Sequence, residues 1–452
     1  MKPNWSKIVD ETKQAATVYV KAMQRWNVCA VACVIMGAVC GCPVTPESTV
    51  PAYASQAELA QNWHRFRGIG GAGVTGLTTI PTQWDGASGE GILWKTEVPR
   101  RGHSSPVVWK DKVFLSGGTT DGLQVYCFDA EQGKLLWTGS VPTEADQLED
   151  LEVMEDTGLA ACTVATDGAR VYAIFASGDL ICFDLAGKQL WHHHLGVPES
   201  VYGYATSLEV YRDRVLVQFD QAYDDEGKSF MAAYEGPTGK LVWKTERPVS
   251  NGWTSPIIAK VGEREQLITV GAPLVIGYDP ETGRELWRAE CVEGDVAPSP
   301  VVAEGMVFAI EPYSQMLAIR LDGQGDVTET HIAWRNEDGG PDICSPVTAS
   351  GLIYLLDSQG ELACFKVTDG SELFRYDLDE MFNASPSIVG DTLYLLDAEG
   401  TMHMTAVSPE APQEVKTASL GEKCFASPAF VEGRIYIRGE KHLWCIGKSS
   451  NQ

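Results

Sequence analysis

Short runs of apolar residues alternate with turn residues through most of this chain. In residues 254–287, three β-branched runs are separated by glycine-containing turns, and a fourth run follows the turn 280–283. The four runs are 256–259, 266–271, 274–279 and 284–288. Runs of this length that are rich in Val and Ile and bounded by Gly, Pro or Asp are typical of strands in an antiparallel meander. The pattern therefore predicts a unit of four strands.

The same unit recurs along the chain at a nearly constant spacing. Most copies begin with a Ser-Pro pair and end with a Gly-x-x-x-Trp turn. The pairs begin at Ser105, Ser255, Ser299, Ser345, Ser385 and Ser427, with gaps of 44, 46, 40 and 42 residues from Ser255 onward. Two further copies, 161–191 and 205–243, lack Ser-Pro but keep the other features. Eight copies with one period indicate a repeat architecture, and the repeated serines are interpreted as blade-start turns rather than nucleophiles.

The last copy is incomplete. It ends after Ile446, too early for a fourth strand, whereas the strand-like run 92–96 stands alone before the first full copy. Sheets arranged radially must close, and a propeller closes when one blade takes a strand from the opposite end of the chain. We therefore predict an all-β fold, an eight-bladed β-propeller over residues 61–449. Its blades are four-stranded and antiparallel, and an N-terminal strand closes the last one.

Large aromatic residues occupy one place in the unit, on the fourth strand and, in most copies, four residues after a glycine. The glycine permits the positive φ that a short hairpin requires. A large ring at a fixed position in each sheet is best explained as packing one blade against the next, and ligand stacking is the alternative. The predicted blade-docking residues are Trp94, Trp137, Trp191, Trp243, Trp287 and Phe374.

The first 41 residues differ from the repeats and are predicted to be a signal region. Residues 26–41 are largely apolar and follow two cationic side chains, a pattern that is short for a membrane span and typical of a secretory signal. The run ends in Val-Cys-Gly-Cys, similar to a bacterial lipoprotein cleavage box. We expect lipidation at Cys42, a linker at 42–60 and a possible true start at Met23. Cleavage near 52–54 or retention as a signal anchor are the alternatives.

The net charge of the chain disfavours nucleic acid as a partner. The chain has 35 Lys and Arg against 61 Asp and Glu, and removal of residues 1–41 takes away five and two of these, leaving a net charge of −29. Such an acidic surface repels nucleic acid and anionic lipid headgroups. Seven acidic residues fall in 144–156 without the spacing of a calcium loop, so a solvated acidic insertion is favoured over a metal-binding loop.

Cysteine and histidine supply no constellation for chemistry. Eight cysteines follow Cys42, and four of them occupy equivalent third-strand positions, too far apart between blades for disulfides, so buried free thiols are expected. His192 and His194 would share one face of a strand, a spacing used by metal sites, but no third ligand can be placed beside them. We predict no metal site and no catalytic residue, with His192–His194 as an exposed polar rim.

Propellers bind ligands over the central channel, near the loops that enter the first strands. The residues just before the blade starts are therefore the candidates for a binding face, and plugging of the channel is the equally open alternative. These candidates are Arg101, His103, Tyr202, Tyr204, Asn251, Trp253, Asp342 and Phe382.

The turn at 279–287, Asp-Pro-Glu-Thr-Gly-Arg-Glu-Leu-Trp, resembles the pyrroloquinoline-quinone (PQQ)-type β-propeller repeat, and the resemblance covers roughly residues 61–448. The opening at 63–73, Trp-His-Arg-Phe-Arg-Gly followed by Gly-Gly-Ala-Gly, and the close at 426–438 resemble exported propeller proteins of planctomycete-type bacteria. Those are described as similar to the BamB-like lipoprotein propeller of the outer-membrane β-barrel assembly machinery.

The resemblance implies two functions of different classes. The first is a non-enzymatic, monomeric protein-binding scaffold without a cofactor. It would be anchored by lipid on the periplasmic side of a bacterial membrane, the outer membrane by preference, and would take part in outer-membrane protein assembly. The alternative is a PQQ-dependent alcohol or sugar dehydrogenase, in which PQQ sits at the channel with calcium and an Asp removes the alcohol proton. Several such enzymes carry a Cys-Cys pair that this chain lacks. The scaffold is favoured, because fold alone does not carry catalysis.

Overall fold

The first strand of each repeat lies at the centre of the molecule, beside the first strands of neighbouring repeats. The structure is a computed structural model that describes residues 53–143 and 145–448. Its strands form eight sheets arranged in a ring, and each sheet is built on a four-stranded antiparallel blade. The predicted eight-bladed β-propeller is confirmed.

The N-terminal part and blades 1 to 3 contain the following elements. They are α1 (Gln56–Leu59), a 3-10 turn (Ile69–Gly71), β1 (Val74–Thr75), β2 (Ile92–Glu97), β3 (Val107–Trp109), β4 (Lys112–Thr119), β5 (Gly122–Asp129), β6 (Leu135–Ser140), α2 (Ala145–Glu149), β7 (Ala165–Thr166), β8 (Arg170–Ile174), β9 (Asp179–Asp184), β10 (Gln189–His194), β11 (Glu209–Tyr211), β12 (Arg214–Phe219), a 3-10 turn (Asp224–Glu226), β13 (Phe230–Glu235) and β14 (Leu241–Glu246). Blade 1 is β3–β6, blade 2 is β7–β10 and blade 3 is β11–β14.

Blades 4 to 8 follow in order. Their elements are β15 (Ile257–Val261), β16 (Arg264–Gly271), β17 (Leu274–Tyr278), β18 (Glu285–Glu290), β19 (Val301–Ala303), β20 (Met306–Glu311), β21 (Gln315–Arg320), β22 (Gly325–Asp326), α3 (Thr328–His331), β23 (Ile332–Asn336), β24 (Val347–Ala349), β25 (Leu352–Leu356), β26 (Glu361–Lys366), β27 (Glu372–Asp377), β28 (Ser387–Val389), β29 (Thr392–Leu396), β30 (Thr401–Ala406), β31 (Lys416–Ser419), β32 (Ala429–Val431), β33 (Arg434–Arg438) and β34 (His442–Gly447). Blade 4 is β15–β18, blade 5 is β19–β21 with β23, blade 6 is β24–β27, blade 7 is β28–β31, and blade 8 is β32–β34 with β2. Strand β22 adds in parallel to β18 of blade 4, and β1 adds in parallel to β28 of blade 7.

Blade 8 closes the ring as predicted from the unpaired N-terminal run. Strand β2 pairs antiparallel with β34, from Ile92 opposite Ile446 to Glu97 opposite His442. The strand order in blade 8 is therefore β32, β33, β34 and β2, and the outermost strand comes from the N-terminal part of the chain. This pairing joins the N-terminal and C-terminal ends of the propeller within blade 8 through backbone hydrogen bonds.

The Ser-Pro pairs have a structural role that their repetition suggests. In blades 1 to 7 the backbone N–H of the blade-start serine or threonine donates to the hydroxyl of the equivalent residue in the next blade, at 2.9–3.1 Å. Seven successive links run through Ser105, Thr163, Ser207, Ser255, Ser299, Ser345, Ser385 and Ser427. The two repeats without Ser-Pro contribute Thr163 and Ser207, so the shared requirement is a hydroxyl. It satisfies a buried N–H that no strand partner reaches.

The segment 63–75 crosses the lower end of the central channel. Trp63 pairs with Val108 of blade 1, and the carbonyl of His64 accepts from Thr166 of blade 2. Arg65 contacts Glu209 in blade 3 and the carbonyl of Pro256 in blade 4. Arg67 donates to the carbonyl of Pro346 in blade 6, β1 runs along β28 of blade 7, and the ring of Trp63 packs against Phe430 of blade 8. The segment therefore contacts seven of the eight blades from inside. The sequence of this segment indicated a resemblance to exported propeller proteins but not its contacts inside the channel.

The fourth-strand aromatic residues lie between blades. The indole N–H groups of Trp94, Trp137, Trp191 and Trp243 each donate to a carbonyl in the third-to-fourth-strand turn of the next blade. Trp287 differs, because its indole donates to Gln266 of its own blade. Phe374 lies against Tyr354 of its own blade, with ring centroids 6.4 Å apart.

Trp334 was missed by the sequence pattern. Its indole donates to Val367 of the next blade, and its ring packs on Gly370, as the other inter-blade tryptophans do on their glycines. The Gly-x-x-x spacing is absent before it because an insertion with β22 and α3 precedes the strand.

Eight cysteines in the described residues are free and buried, which confirms the expected thiols. The signal region at 1–41, the start at Met23 and lipidation at Cys42 lie outside the described residues. Within the predicted linker at 42–60, the chain already contacts the propeller at Ala54, whose N–H donates to the carbonyl of Asp167. Among residues 53–143 and 145–448, no helix combines the length and apolarity needed to cross a membrane.

Candidate functional site

Two sets of loops form the upper face of the propeller, opposite the end closed by residues 63–75. In a meander, the loops that enter the first strands and the loops between second and third strands emerge on the same side. The upper face therefore contains the acidic insertion after blade 1 and the long hairpin at 220–229 in blade 3.

A groove of about 1030 Å³ lies on the upper face beside blades 2 to 4. We call it the upper groove. Its lining residues are Leu151–Met154, Glu199–Val201, Ala222, Tyr223, Glu226, Ser250, Asn251, Trp253, Ala272, Gly294 and Asp295. Its volume is at the upper end of the range for small-molecule sites, about 300–1,000 Å³, and its open form suits an extended chain.

Hydrogen bonds between loops hold the walls of the upper groove in place. The N–H of Met154 donates to the carbonyl of Val201 at 3.0 Å, which ties the acidic insertion to the loop after blade 2. The N–H of Asn251 donates to the carbonyl of Ala222 at 2.9 Å. The indole of Trp253 donates to the hydroxyl of Ser200 at 3.2 Å. These links preform the groove without a ligand.

Large apolar side chains are exposed in the upper groove. Met154 is 49% exposed, Val201 is 64% exposed and Tyr223 is 72% exposed. Trp253 and Tyr202 form an edge-to-face pair beneath them, with ring centroids 4.7 Å apart. Adjacent exposed apolar groups mark interaction surfaces more often than isolated ones do. The groove therefore has the apolar component of a binding site.

The acidic insertion is more than a solvated loop. Glu152, Glu155 and Asp156 are exposed, as predicted. Leu148 of α2, in contrast, is 1% exposed and packs into the core between blades 1 and 2. That anchor positions residues 151–154 as a wall of the groove.

The predicted binding-face residues divide into three groups. Asn251 and Trp253 line the upper groove, and Tyr202 contacts Trp253. Arg101 is exposed at the face, and His103 lies at the channel mouth against Phe425.

The other three predicted residues have structural contacts. Tyr204 and Phe382 are 3% and 0% exposed, so their assignment to a surface is corrected: both rings fill the core between blades. Asp342 accepts hydrogen bonds from the N–H and hydroxyl of Ser358, at 3.1 and 2.6 Å, and thereby fixes a loop.

The channel between the groove and the lower segment is narrow. A chamber of about 120 Å³ is ringed by the eight blade-start hydroxyls and bounded by Phe66 below and by His103, Trp253 and Phe425 above. Burial, with the nearby positive charge of Arg438, lowers the pKa of His103 to about 4. The imidazole is therefore neutral at pH 7.

His192 and His194 share a partner on the third strand of their blade. Nε2 of His192 and Nδ1 of His194 lie 2.9 and 3.2 Å from Oδ1 of Asp179. Burial opposes ionisation of Asp179, but hydrogen bonds from His192 and Ser177 outweigh it and lower the pKa of the carboxyl. Within the described residues, no group of three or more His, Cys, Asp or Glu side chains is placed to hold a metal ion.

Residues 75–219, 227–343 and 320–413 match the family model described as outer membrane protein assembly factor BamB. This chain belongs to the BamB family. The resemblance to a PQQ-type propeller repeat, inferred from the turn motif, is thereby confirmed.

Solved structures in and beyond the BamB family share the fold. BamB from Moraxella catarrhalis has a TM-score of 0.58 and 14% identity, over 80% of this chain and 98% of that chain. Quinohemoprotein alcohol dehydrogenase from Comamonas testosteroni has a TM-score of 0.63 and 13% identity, over 87% of this chain and 82% of that chain. At these identities the likeness shows the fold alone.

A curated relative of this BamB-family chain is the tetrathionate hydrolase of Acidithiobacillus ferrooxidans. The two are 22% identical over 293 residues, which cover 61% of this chain. The match spans 54% of the hydrolase, about half of its length.

Proposed function

We propose that this chain is an exported, lipid-anchored and non-enzymatic propeller that binds protein partners through its upper face during outer-membrane protein assembly. The observation that carries the proposal is the upper groove, a preformed depression with exposed Met154, Val201 and Tyr223 and with acidic walls. Membership of the BamB family supports export and participation in a protein complex. The lipid anchor rests on the sequence around Cys42.

The alternative, a PQQ-dependent dehydrogenase, is disfavoured by the residues at the channel. PQQ is a polycyclic polycarboxylate, so its site requires cationic side chains and, in these enzymes, a divalent cation. The chamber of about 120 Å³ is smaller than the 300–1,000 Å³ of typical ligand pockets. The upper groove is large enough, but Glu152, Glu199, Glu226 and Asp295 line it and would repel a polyanion. The small volume of the chamber and the negative charge of the upper groove therefore support the scaffold over a PQQ-dependent dehydrogenase.

Two measurements separate the functions. The mature protein, mixed with PQQ and calcium, is expected to show no stoichiometric quinone absorbance and no dye-linked oxidation of alcohols or sugars. Expressed in a diderm bacterium, it is expected to co-purify with components of the β-barrel assembly machinery. Quinone loading with turnover would overturn the scaffold proposal, as would efficient hydrolysis of tetrathionate. Mass spectrometry of the mature N-terminus tests lipidation at Cys42.

A further inference from the structure

We infer that the upper groove binds an extended cationic segment of a partner protein that also carries apolar or aromatic side chains. The inference rests on the proposed scaffold function and specifies the chemistry of its partner. It follows from the charge of the loops, the ion pairs already present in the groove and the polar atoms that lack partners.

Nearly all charged residues in the loops around the groove are acidic. Residues 145–164, 195–208, 220–229, 247–256, 271–274 and 291–300 contain 13 Asp and Glu and two Lys and Arg. One pair of these, Asp220 and Arg247, is fully buried with 2.7 Å between Oδ1 and Nε. Twelve carboxylates and Lys228 remain. A surface of this kind attracts cations and repels anionic lipids and nucleic acids.

Lys228 shows how the groove holds an ammonium group. Its Nζ lies 2.6 Å from the carboxylate of Glu199 and 2.6 Å from that of Glu226, and both glutamates line the groove. Glu152 and Asp295 line other parts of the same groove and are exposed. A lysine or arginine of a partner would find the same type of carboxylate there. Lys228 also reduces the negative potential that a cationic partner meets.

The other polar atoms at the groove favour a hydrogen-bond donor. The side chain of Asn251 is half-buried in a wall of the groove, and its Oδ1 is covered and has no hydrogen-bond partner in the structure. Rotation of the amide toward the groove would let a backbone N–H or a cationic side chain of a bound segment satisfy this acceptor. Carboxylates and this amide oxygen together make the groove an acceptor-rich surface.

The exposed apolar residues distinguish a protein segment from a simple cation. Met154, Val201 and Tyr223 provide a surface for aromatic or aliphatic anchors, which supply much of the energy at protein interfaces. A polyamine would use only the carboxylates. A chain segment that carries both cationic and apolar side chains uses both, because three loops of the groove each present a carboxylate beside an apolar residue: Glu152 with Met154, Glu199 with Val201 and Glu226 with Tyr223.

The test is binding of a fluorescent peptide that alternates Lys and Tyr, followed by anisotropy with the complete mature protein. We expect binding that weakens with added salt, and no binding of a matched peptide that alternates Glu and Tyr. A peptide alternating Lys and Ser is expected to bind about tenfold more weakly, because it lacks apolar anchors. Equal binding of the Lys and Glu peptides would overturn the inference.

Charge variants locate the site. Glu152→Gln and Asp295→Asn are each expected to weaken the Lys-Tyr peptide by about two- to fivefold, the range of one exposed ion pair. Lys228→Gln is expected to tighten binding by a similar factor, because it removes a competing cation. Glu131→Gln and Glu263→Gln, on the lower face, are the matched controls and are expected to leave affinity unchanged. Unchanged binding in the groove variants contradicts the assignment.

These results are separable from those for the scaffold function. If assembly components co-purify equally with the wild type and with the Glu152→Gln/Asp295→Asn variant, the scaffold function holds and the cationic-segment inference is wrong. If the peptide binds as expected and no protein partner co-purifies, the groove assignment holds and the proposed function fails.

Discussion

Nη1 of Arg65 lies 2.8 Å from Oε2 of Glu209, and the two side chains are 1% and 4% exposed. The pair connects the segment that crosses the channel to β11, the first strand of blade 3. Burial raises the pKa of Glu209, and the positive charge of Arg65 offsets part of that effect. The N-terminal segment is thus fixed inside the propeller by a charge contact shielded from water.

Removal of one member of this pair is expected to destabilise the folded protein severely. Arg65→Met leaves the Glu209 carboxylate buried without its cation, and the expected loss is about 3–5 kcal/mol in the free energy of unfolding. Urea denaturation measures it. The double variant Arg65→Met/Glu209→Leu is expected to recover most of the loss, because neither charge of the pair remains. A double variant as unstable as the single one would show that packing, not charge, dominates.

The hydroxyl ring makes a second prediction. Ser299→Ala removes the acceptor of the buried N–H of Ser255, and the expected loss of stability is about 1–3 kcal/mol. Ser299→Thr keeps the hydroxyl, as Thr163 does in blade 2, and is expected to lose much less. Equal losses for Ala and Thr would argue against the hydrogen bond as the cause.

Inter-blade packing can be isolated with two glycines of similar backbone conformation. A Cβ at Gly133, with φ of 70°, would lie 2.5 Å from the ring of Trp94, whereas Gly421, with φ of 67°, has open space around it. Gly421→Ala is expected to lose about 1 kcal/mol from backbone strain. Gly133→Ala is expected to lose about 1–3 kcal/mol more because of the clash. Thermal or urea unfolding of the two variants gives the difference.

His64, which is buried, and His103, which is half-buried, predict a loss of stability in acid. Burial is the main cause that lowers the pKa of His64 to about 3 and that of His103 to about 4. Since the unfolded chain titrates near 6.5, it binds more protons than the folded chain below that pH. Above about pH 6.5, these histidines therefore do not reduce the free energy of unfolding. Below that pH, the free energy of unfolding falls by about 1.4 kcal/mol per pH unit for each histidine. His103→Gln is expected to reduce this slope between about pH 6 and 4.

The repeats could be predicted from the sequence because each blade is built from local contacts. Strand runs, turn glycines and the unpaired β2 are visible within short windows, and they predict the eight blades and their closure. Trp334 was not predicted because an insertion replaces its turn. The contacts of segment 63–75 were not predicted because they reach residues from Val108 to Ile388, a separation in sequence that no local pattern encodes.

The candidate site was less accessible to sequence reasoning. Asn251 and Trp253 were found because they precede a blade start, but Tyr204 and Phe382 satisfy the same rule and are buried. Loop residues lack the alternation that separates the two faces of a strand. The upper groove depends on contacts between separate loops, such as Met154 with Val201, which follow only from the ring arrangement.

Site-specific photocrosslinking in cells tests the central claim, that the upper groove is a protein-binding site, most directly. A photoreactive amino acid replaces Tyr223 in the groove or, as the control, Leu136, which is 43% exposed on the outer strand β6 of blade 1. The account predicts discrete adducts with assembly components at position 223, reduced by Glu152→Gln/Asp295→Asn, and none at position 136. No adduct at position 223, or the same adducts at both positions, would contradict it.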